Sequence, residues 1–291
     1  MITLTSPPVA APVFPATADV DAIIRLALAE DVGRGDLTTE ATVSPGALAT
    51  AELLQKAPGV VCGLPVVEAV FARLDPRVQV TRQAEEGSFD ARRRTVARIA
   101  GPAAAILTGE RTALNFLQRL SGVATASRRA SELVAGTGAR VIDTRKTTPG
   151  LRVLEKYAVR IGGASNHRAG LDDGFLIKEN HIRAAGGITR AVHAAQRRAA
   201  PGHIVEVEVT TLFELDEAIS AGATLILLDN FSVADMRAAV AQTGAQARLE
   251  ASGGITLDNL ADVARTGVDF VSLGALTHSA GVLDFSLEFN P

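Results

Sequence analysis

From residue 139 onward the chain alternates two hydrophobic rhythms. Short apolar runs (RVID, GFLIK, HIVEVEV, TLILLDN, RLEAS and DFVSLG) are separated by stretches whose apolar residues recur three and four apart, such as ITRAVHAAQRRAA, LFELDEAISAG, VADMRAAVAQTG and LDNLADVARTG. The first rhythm is that of buried strands and the second that of amphipathic helices. The runs end near Asp143, Lys178, Glu208, Asp229, Ser252 and Gly274. After the first, successive ends are separated by roughly one strand-plus-helix unit, the crossover that parallel strands require. The pattern predicts an α/β fold: a parallel β/α barrel shortened to six strands, with its chemistry at the C-terminal ends of those strands. A doubly wound open sheet fits the same periodicity.

The N-terminal portion is patterned differently. Residues 1–18 are proline-rich and carry no Lys or Arg, which predicts a loose tail rather than a signal peptide. Residues 19–30, DVDAIIRLALAE, form an amphipathic helix with Asp19 as N-cap. A turn-rich EDVGRGDLTTEATV follows. The runs ATAELLQ, GVVCGLP, RVQVTRQA and RTVARIAG then predict strands of an antiparallel or mixed sheet, with VVEAVFARL as a helix among them. Residues 106–133 read as a long helix interrupted at Gly122 and bridging two domains. The last residues, GVLDFSLEFNP, alternate like a strand returning to the first domain. The expected division is a tail (1–18), an N-terminal α+β sandwich domain (19–115 with 280–291) and a barrel (116–279).

Composition narrows the partners. With 47% hydrophobic residues and a net charge of −3 in 291 residues, the chain has ample core and no global basic footprint. Nucleic acid is disfavoured as a main partner, and no apolar run is long enough for a membrane span. The single cysteine, Cys62, excludes an intrachain disulfide and suits the cytoplasm. Its apolar setting predicts a packed residue, not a nucleophile.

Against that acidic balance, residues 143–181 collect Arg145, Lys146, Arg168 and Lys178 with His167 and His181. Cations delivered at successive element ends predict a pocket for a small, strongly anionic ligand. An ion-pair network with Asp143, Asp172 and Asp173 is the plain alternative. Glu208 and Asp229 close two buried strands and suit Mg2+, which takes one or two carboxylates plus substrate oxygens and water; ribose hydroxyls are the other candidate. Glu206 lies on the same strand face as Glu208 and is a second choice, with Lys56 or another base as partner. Ser252-Gly253-Gly254 before a helix at Leu257, with Ser272 and Gly274 one unit later, predict a phosphate cradle. The other GGIT, at residues 186–189, reads as a helix start.

The motifs TRKTTPGLRVLEKYAV and GGASNHRAGLDDGFLIKENH, with GDLTT near the start and ERTALNFLQRLSGVAT in the long helix, resemble the signature of the quinolinate phosphoribosyltransferase family, also called nicotinate-nucleotide pyrophosphorylase (carboxylating). The resemblance spans nearly the whole chain. DARRRTVARIAG departs from it in lacking the family's usual glycine. It implies a type II phosphoribosyltransferase-like barrel, consistent with the absence here of an Asp-Asp pair followed by a Thr/Gly-rich loop. It implies phosphoribosyl transfer from phosphoribosyl pyrophosphate to quinolinate with loss of CO2, as a step toward NAD. Arg145, His167, Arg168 and Lys178 would then meet the quinolinate carboxylates. Lys146 would lie on the ribose or pyrophosphate side, Thr144 would bind substrate beside it, and Glu208 and Asp229 would serve Mg2+ or the ribose. Arg111 would reach the active site of the other subunit of a homodimer. A paralogue associated with molybdate transport, a nicotinate-specific transferase and a non-catalytic nucleotide-binding protein remain as rivals.

Overall fold

The computed structural model describes residues 12–290; residues 1–11 of the expected tail, and Pro291, lie outside the described residues. Two compact units divide them. One comprises residues 12–128, 147–163 and 276–290, the other 129–146 and 164–275. Residues 147–163 thus group with the first unit although they fall inside the 116–279 span.

The first unit opens with helix α1 (Ala18–Val32). Its cap is Thr17, not Asp19: the Thr17 hydroxyl accepts the Val20 N–H at 3.4 Å. Asp19 sits inside the first turn, where a negative charge suits the helix dipole. The GDLTT motif caps α2 (Leu37–Thr42). Asp36 accepts the Thr39 N–H at 3.0 Å and its hydroxyl at 2.6 Å, and these bonds hold its carboxyl below the usual range. Next come β1 (Leu48–Gln55), β2 (Gly59–Val60), α3 (Leu64–Leu74), β3 (Gln79–Arg82), β4 (Phe89–Asp90) and β5 (Arg94–Pro102). Cys62 is fully buried, and burial pushes its thiol pKa up, as a packed residue requires.

Helix α4 (Ala103–Leu133) runs unbroken through Gly122. The expected interruption is absent because this glycine answers a packing need. A β-carbon there would lie 1.9 Å from the Gly281 carbonyl oxygen.

In the second unit β6 (Arg140–Ile142) comes first. The helix after it, α5 (Arg152–Ile161), belongs to the first unit. There the buried Glu155 binds the Thr148 N–H at 3.0 Å and the Arg119 guanidinium at 2.6 Å. The second unit continues through β7 (Phe175–Ile177), α6 (Glu179–Ala185), α7 (Ile188–Arg198), β8 (Val205–Val209), α8 (Leu212–Ser220), β9 (Leu225–Asp229), α9 (Val233–Thr243), β10 (Arg248–Ser252), α10 (Leu260–Ala264) and β11 (Phe270–Ser272). Gly186 and Gly187 only join α6 to α7. The helix expected from Leu257 is a single short turn starting at Leu260.

The six strands run parallel in the order β6-β11-β10-β9-β8-β7. The first strand pairs with the last, which a doubly wound sheet does not do. This is barrel order with one seam, between β6 and β7, where Ser165 bridges to Ile142. Ile142, Leu225 and Phe270, joined by Ile204, form a buried apolar cluster of this unit.

After α11 (Ala275–His278), β12 (Phe285–Asn290) returns to the first unit. It pairs antiparallel with β1, Leu287 opposite Leu53, at the edge of the sheet β12-β1-β5-β3.

Candidate active site at the strand ends

Strand register decides which side chains share a face. Glu206 pairs with Leu225 and Glu208 with Leu227, while Glu250 stands opposite Leu227 and Ser252 opposite Asp229. Side chains two apart point the same way. Glu206, Glu208, Asp229, Glu250 and Ser252 therefore lie on the face of Leu225 and Leu227, and Lys178 joins them one residue past β7. Lys178, Glu208, Asp229 and Ser252 stand at or next to the C-terminal strand ends, whereas Glu206 and Glu250 lie deeper, level with Leu225 and Leu227.

Lys178 and Glu208 form an ion pair across neighbouring strand ends. Lys178 also caps α6: its N–H donates to His181 Nδ1 at 2.9 Å. Asp229 accepts the Asn230 amide at 2.8 Å. Asn230 is the one non-glycine residue with positive φ among the described residues, at 58°. Its side chain fills the place where Gly253 would carry a β-carbon, at 2.3 Å. Gly253 is therefore a glycine for packing. Gly254 has φ +63° and open space beside it, so its backbone can be approached closely. Ser272 is buried, and its hydroxyl donates to the Ala251 carbonyl at 3.3 Å. Gly274 follows β11 by two residues.

At the seam, buried Asp143 organises the SNHR turn. It accepts the Asn166 side-chain amide at 2.7 Å and the His167 N–H at 2.8 Å. Thr144 accepts the Lys146 N–H at 3.0 Å. Arg168 donates to the Gly174 carbonyl at 3.0 Å, and its buried Nε has no hydrogen-bond partner among the described residues. Burial first, then repulsion from Arg145, lowers the Arg168 pKa. Two guanidiniums this close, one incompletely satisfied, call for an anion. Asp173 accepts the Ala169 and Gly170 N–H groups, and its charge, with that of Glu206, offsets part of this lowering at Arg168. Arg111 is exposed on α4 in the first unit.

Two further acids complete the inner face. His167 Nε2 contacts Glu206 Oε2 at 2.7 Å and lies 3.7 Å from Glu250 Oε2. Lys56, the expected partner of Glu206, pairs instead with Asp284. Burial pushes Glu206 up to about 7. Burial, then the neighbouring Glu206, raises Glu250 far more. Glu250 is not among the residues that the sequence pattern singles out, and Asp143 is expected there only as a strand-end charge or ion-pair partner. Glu250 stands two residues before a strand end, as Glu206 does, and that repeated spacing was the available signal.

Two donor sets are candidates for a cation. His167, Glu206 and Glu250 bring ligand atoms within 4.8 Å of one another. A buried imidazole with two carboxyls suits zinc-like ions better than Mg2+. Glu208 and Asp229 offer only carboxylate oxygens at the open end, the donor type Mg2+ takes together with substrate oxygens.

Family models cover most of the chain. Residues 36–121 match the N-terminal domain of quinolinate phosphoribosyl transferase and residues 123–288 its C-terminal domain. The chain belongs to the quinolinate phosphoribosyl transferase family. Within it, the chain is 46% identical to a probable nicotinate-nucleotide pyrophosphorylase (carboxylating) of Bacillus subtilis (strain 168), over 89% of both chains. It is 43% identical to the nicotinate-nucleotide pyrophosphorylase (carboxylating) of Mycobacterium leprae (strain TN), covering 91% of this chain and 95% of that one. The solved nicotinate-nucleotide pyrophosphorylase of Francisella tularensis superposes with a TM-score of 0.90 at 40% identity, over 94% of this chain and 96% of that one. The shortened barrel and its N-terminal companion are thus family features.

Proposed function

We propose that the chain transfers the phosphoribosyl group of phosphoribosyl pyrophosphate to quinolinate, giving nicotinate mononucleotide, pyrophosphate and CO2, in NAD biosynthesis. The observation that carries this reading is the Arg145–Arg168 pair, in which the buried Arg168 Nε has no hydrogen-bond partner among the described residues, beside strand ends bearing Lys178, Glu208 and Asp229. A planar guanidinium suits a carboxylate, and quinolinate has two.

The chemistry needs no protein nucleophile. The ribose C1′–pyrophosphate bond breaks, and the pyridine nitrogen bonds to C1′. The bond from ring carbon to the adjacent carboxylate then breaks, its electron pair passing to the cationic ring, and water supplies the proton. Arg145, Arg168 and Lys178 hold the acceptor. Lys146, Thr144 and the Gly254 backbone serve the donor's phosphates. Glu208 and Asp229 face the ribose and would hold Mg2+, which when bound neutralises charge on the departing pyrophosphate. Positioning and electrostatics supply the acceleration. Arg111 completes the site from the second subunit of a homodimer, and the single buried cysteine suits a cytoplasmic setting.

The test is choice of acceptor. With phosphoribosyl pyrophosphate and Mg2+, chromatography should show nicotinate mononucleotide formed from quinolinate and none from nicotinate. Product from nicotinate alone would overturn the reading.

A further inference from the structure

His167 is held through both its main chain and its ring. Its main-chain N–H donates to Asp143, and its ring Nε2 contacts Glu206 at 2.7 Å, with Glu250 behind at 3.7 Å. Both glutamate side chains are nearly fully buried, and Glu206 Oε1 and Glu250 Oε2 have no hydrogen-bond partner among the described residues. Such a group is a poor way to stabilise a fold, because desolvating the carboxyls opposes folding and well-packed apolar residues do as well or better. It does fix one ring in one place. The next residue is Arg168, whose guanidinium stands in the anion pocket anchored by a single bond to Gly174.

We propose that Glu206 is a positioning residue for acceptor binding: acting through His167, it fixes the turn on which Arg168 is mounted. Glu250 forms the back wall of the same recess. The inference rests on the functional reading above, since it assigns the pocket to the acceptor's carboxylates. It separates the two strand glutamates by role. Glu208, at the open end, faces the donor; Glu206, one layer deeper, governs the acceptor without touching it.

The experiment is a double-mutant cycle on the full-length enzyme, with KM measured for each substrate and thermal stability measured alongside. Glu206→Ala should raise the quinolinate KM by about tenfold or more and leave that of phosphoribosyl pyrophosphate within about twofold. Glu206→Gln keeps an acceptor for the ring and should stay within about threefold of wild type. On a His167→Gln background, Glu206→Ala should add less than about twofold, as for residues acting in series. Should Glu206→Ala not fold, Glu206→Met fills the volume without the acceptor and replaces it. Equal rises in both KM values, or additive losses in the cycle, would overturn the proposal. A wild-type enzyme inactive with quinolinate sinks the functional reading; an active one with an unaltered Glu206→Ala sinks this inference alone.

Discussion

Lys178 is held by Glu208 across the ends of β7 and β8, so an exposed cation of the pocket is partnered before any ligand arrives. An acceptor carboxylate must compete for that ammonium. Removing the competitor's charge should therefore favour acceptor binding while damaging catalysis. Glu208→Gln is expected to bind quinolinate at least as tightly as wild type by calorimetry, with turnover reduced by about a hundredfold or more. Weakened quinolinate binding would contradict the competition.

Gly253 and Gly254 should respond differently to alanine. At Gly253 the added carbon meets Asn230 at 2.3 Å and its backbone nitrogen at 3.0 Å, in a left-handed conformation. At Gly254 only the conformation objects. Denaturant unfolding should show Gly253→Ala losing about 2–3 kcal/mol and Gly254→Ala about 1 kcal/mol. The KM for phosphoribosyl pyrophosphate should rise in Gly254→Ala, whose new methyl group stands where a phosphate would approach.

Tyr157 is the chain's only tyrosine, and there is no tryptophan. Its hydroxyl donates to Glu86 at 2.8 Å, and burial first, then the Glu86 charge, raises its pKa. Because the folded value lies above the unfolded one, this contribution to stability is complete below about pH 10 and declines as pH rises further. Tyrosinate absorbance should be absent from the native protein at about pH 11 and present in the denatured chain. Native ionisation near the ordinary value would contradict the buried hydrogen bond.

Arg111 is exposed on α4, and the proposed site needs it from the other subunit. Arg111→Ala and Lys146→Ala should each be inactive alone. Co-expressed, they should recover partial turnover, because one mixed-dimer site carries neither substitution. No recovery in any mixture would exclude a shared site.

The barrel was legible because parallel strands impose a repeating unit, and each run ended on its polar residue. Pairing of β6 with β11 was not legible, since periodicity records neighbours in sequence and not closure of a sheet. Gly122 misled for a related reason: a glycine that breaks a helix and one that admits a carbonyl look alike until Gly281 is seen beside it. The cations of residues 143–181 were evident in the sequence, whereas the support beneath them was not. Asp143 read as one more strand-end charge, and Glu250 as a mid-strand residue. Their functions depend on the turn at His167, which packs at the seam. Thr17 took the cap from Asp19 by a shift too small for pattern to resolve.

The central claim is the reaction itself, and release of CO2 from carboxyl-labelled quinolinate tests it most directly. Release should require both phosphoribosyl pyrophosphate and Mg2+, and should fall by about a hundredfold or more in Arg168→Ala. Folded protein that binds quinolinate yet releases no CO2 with both present would contradict the account.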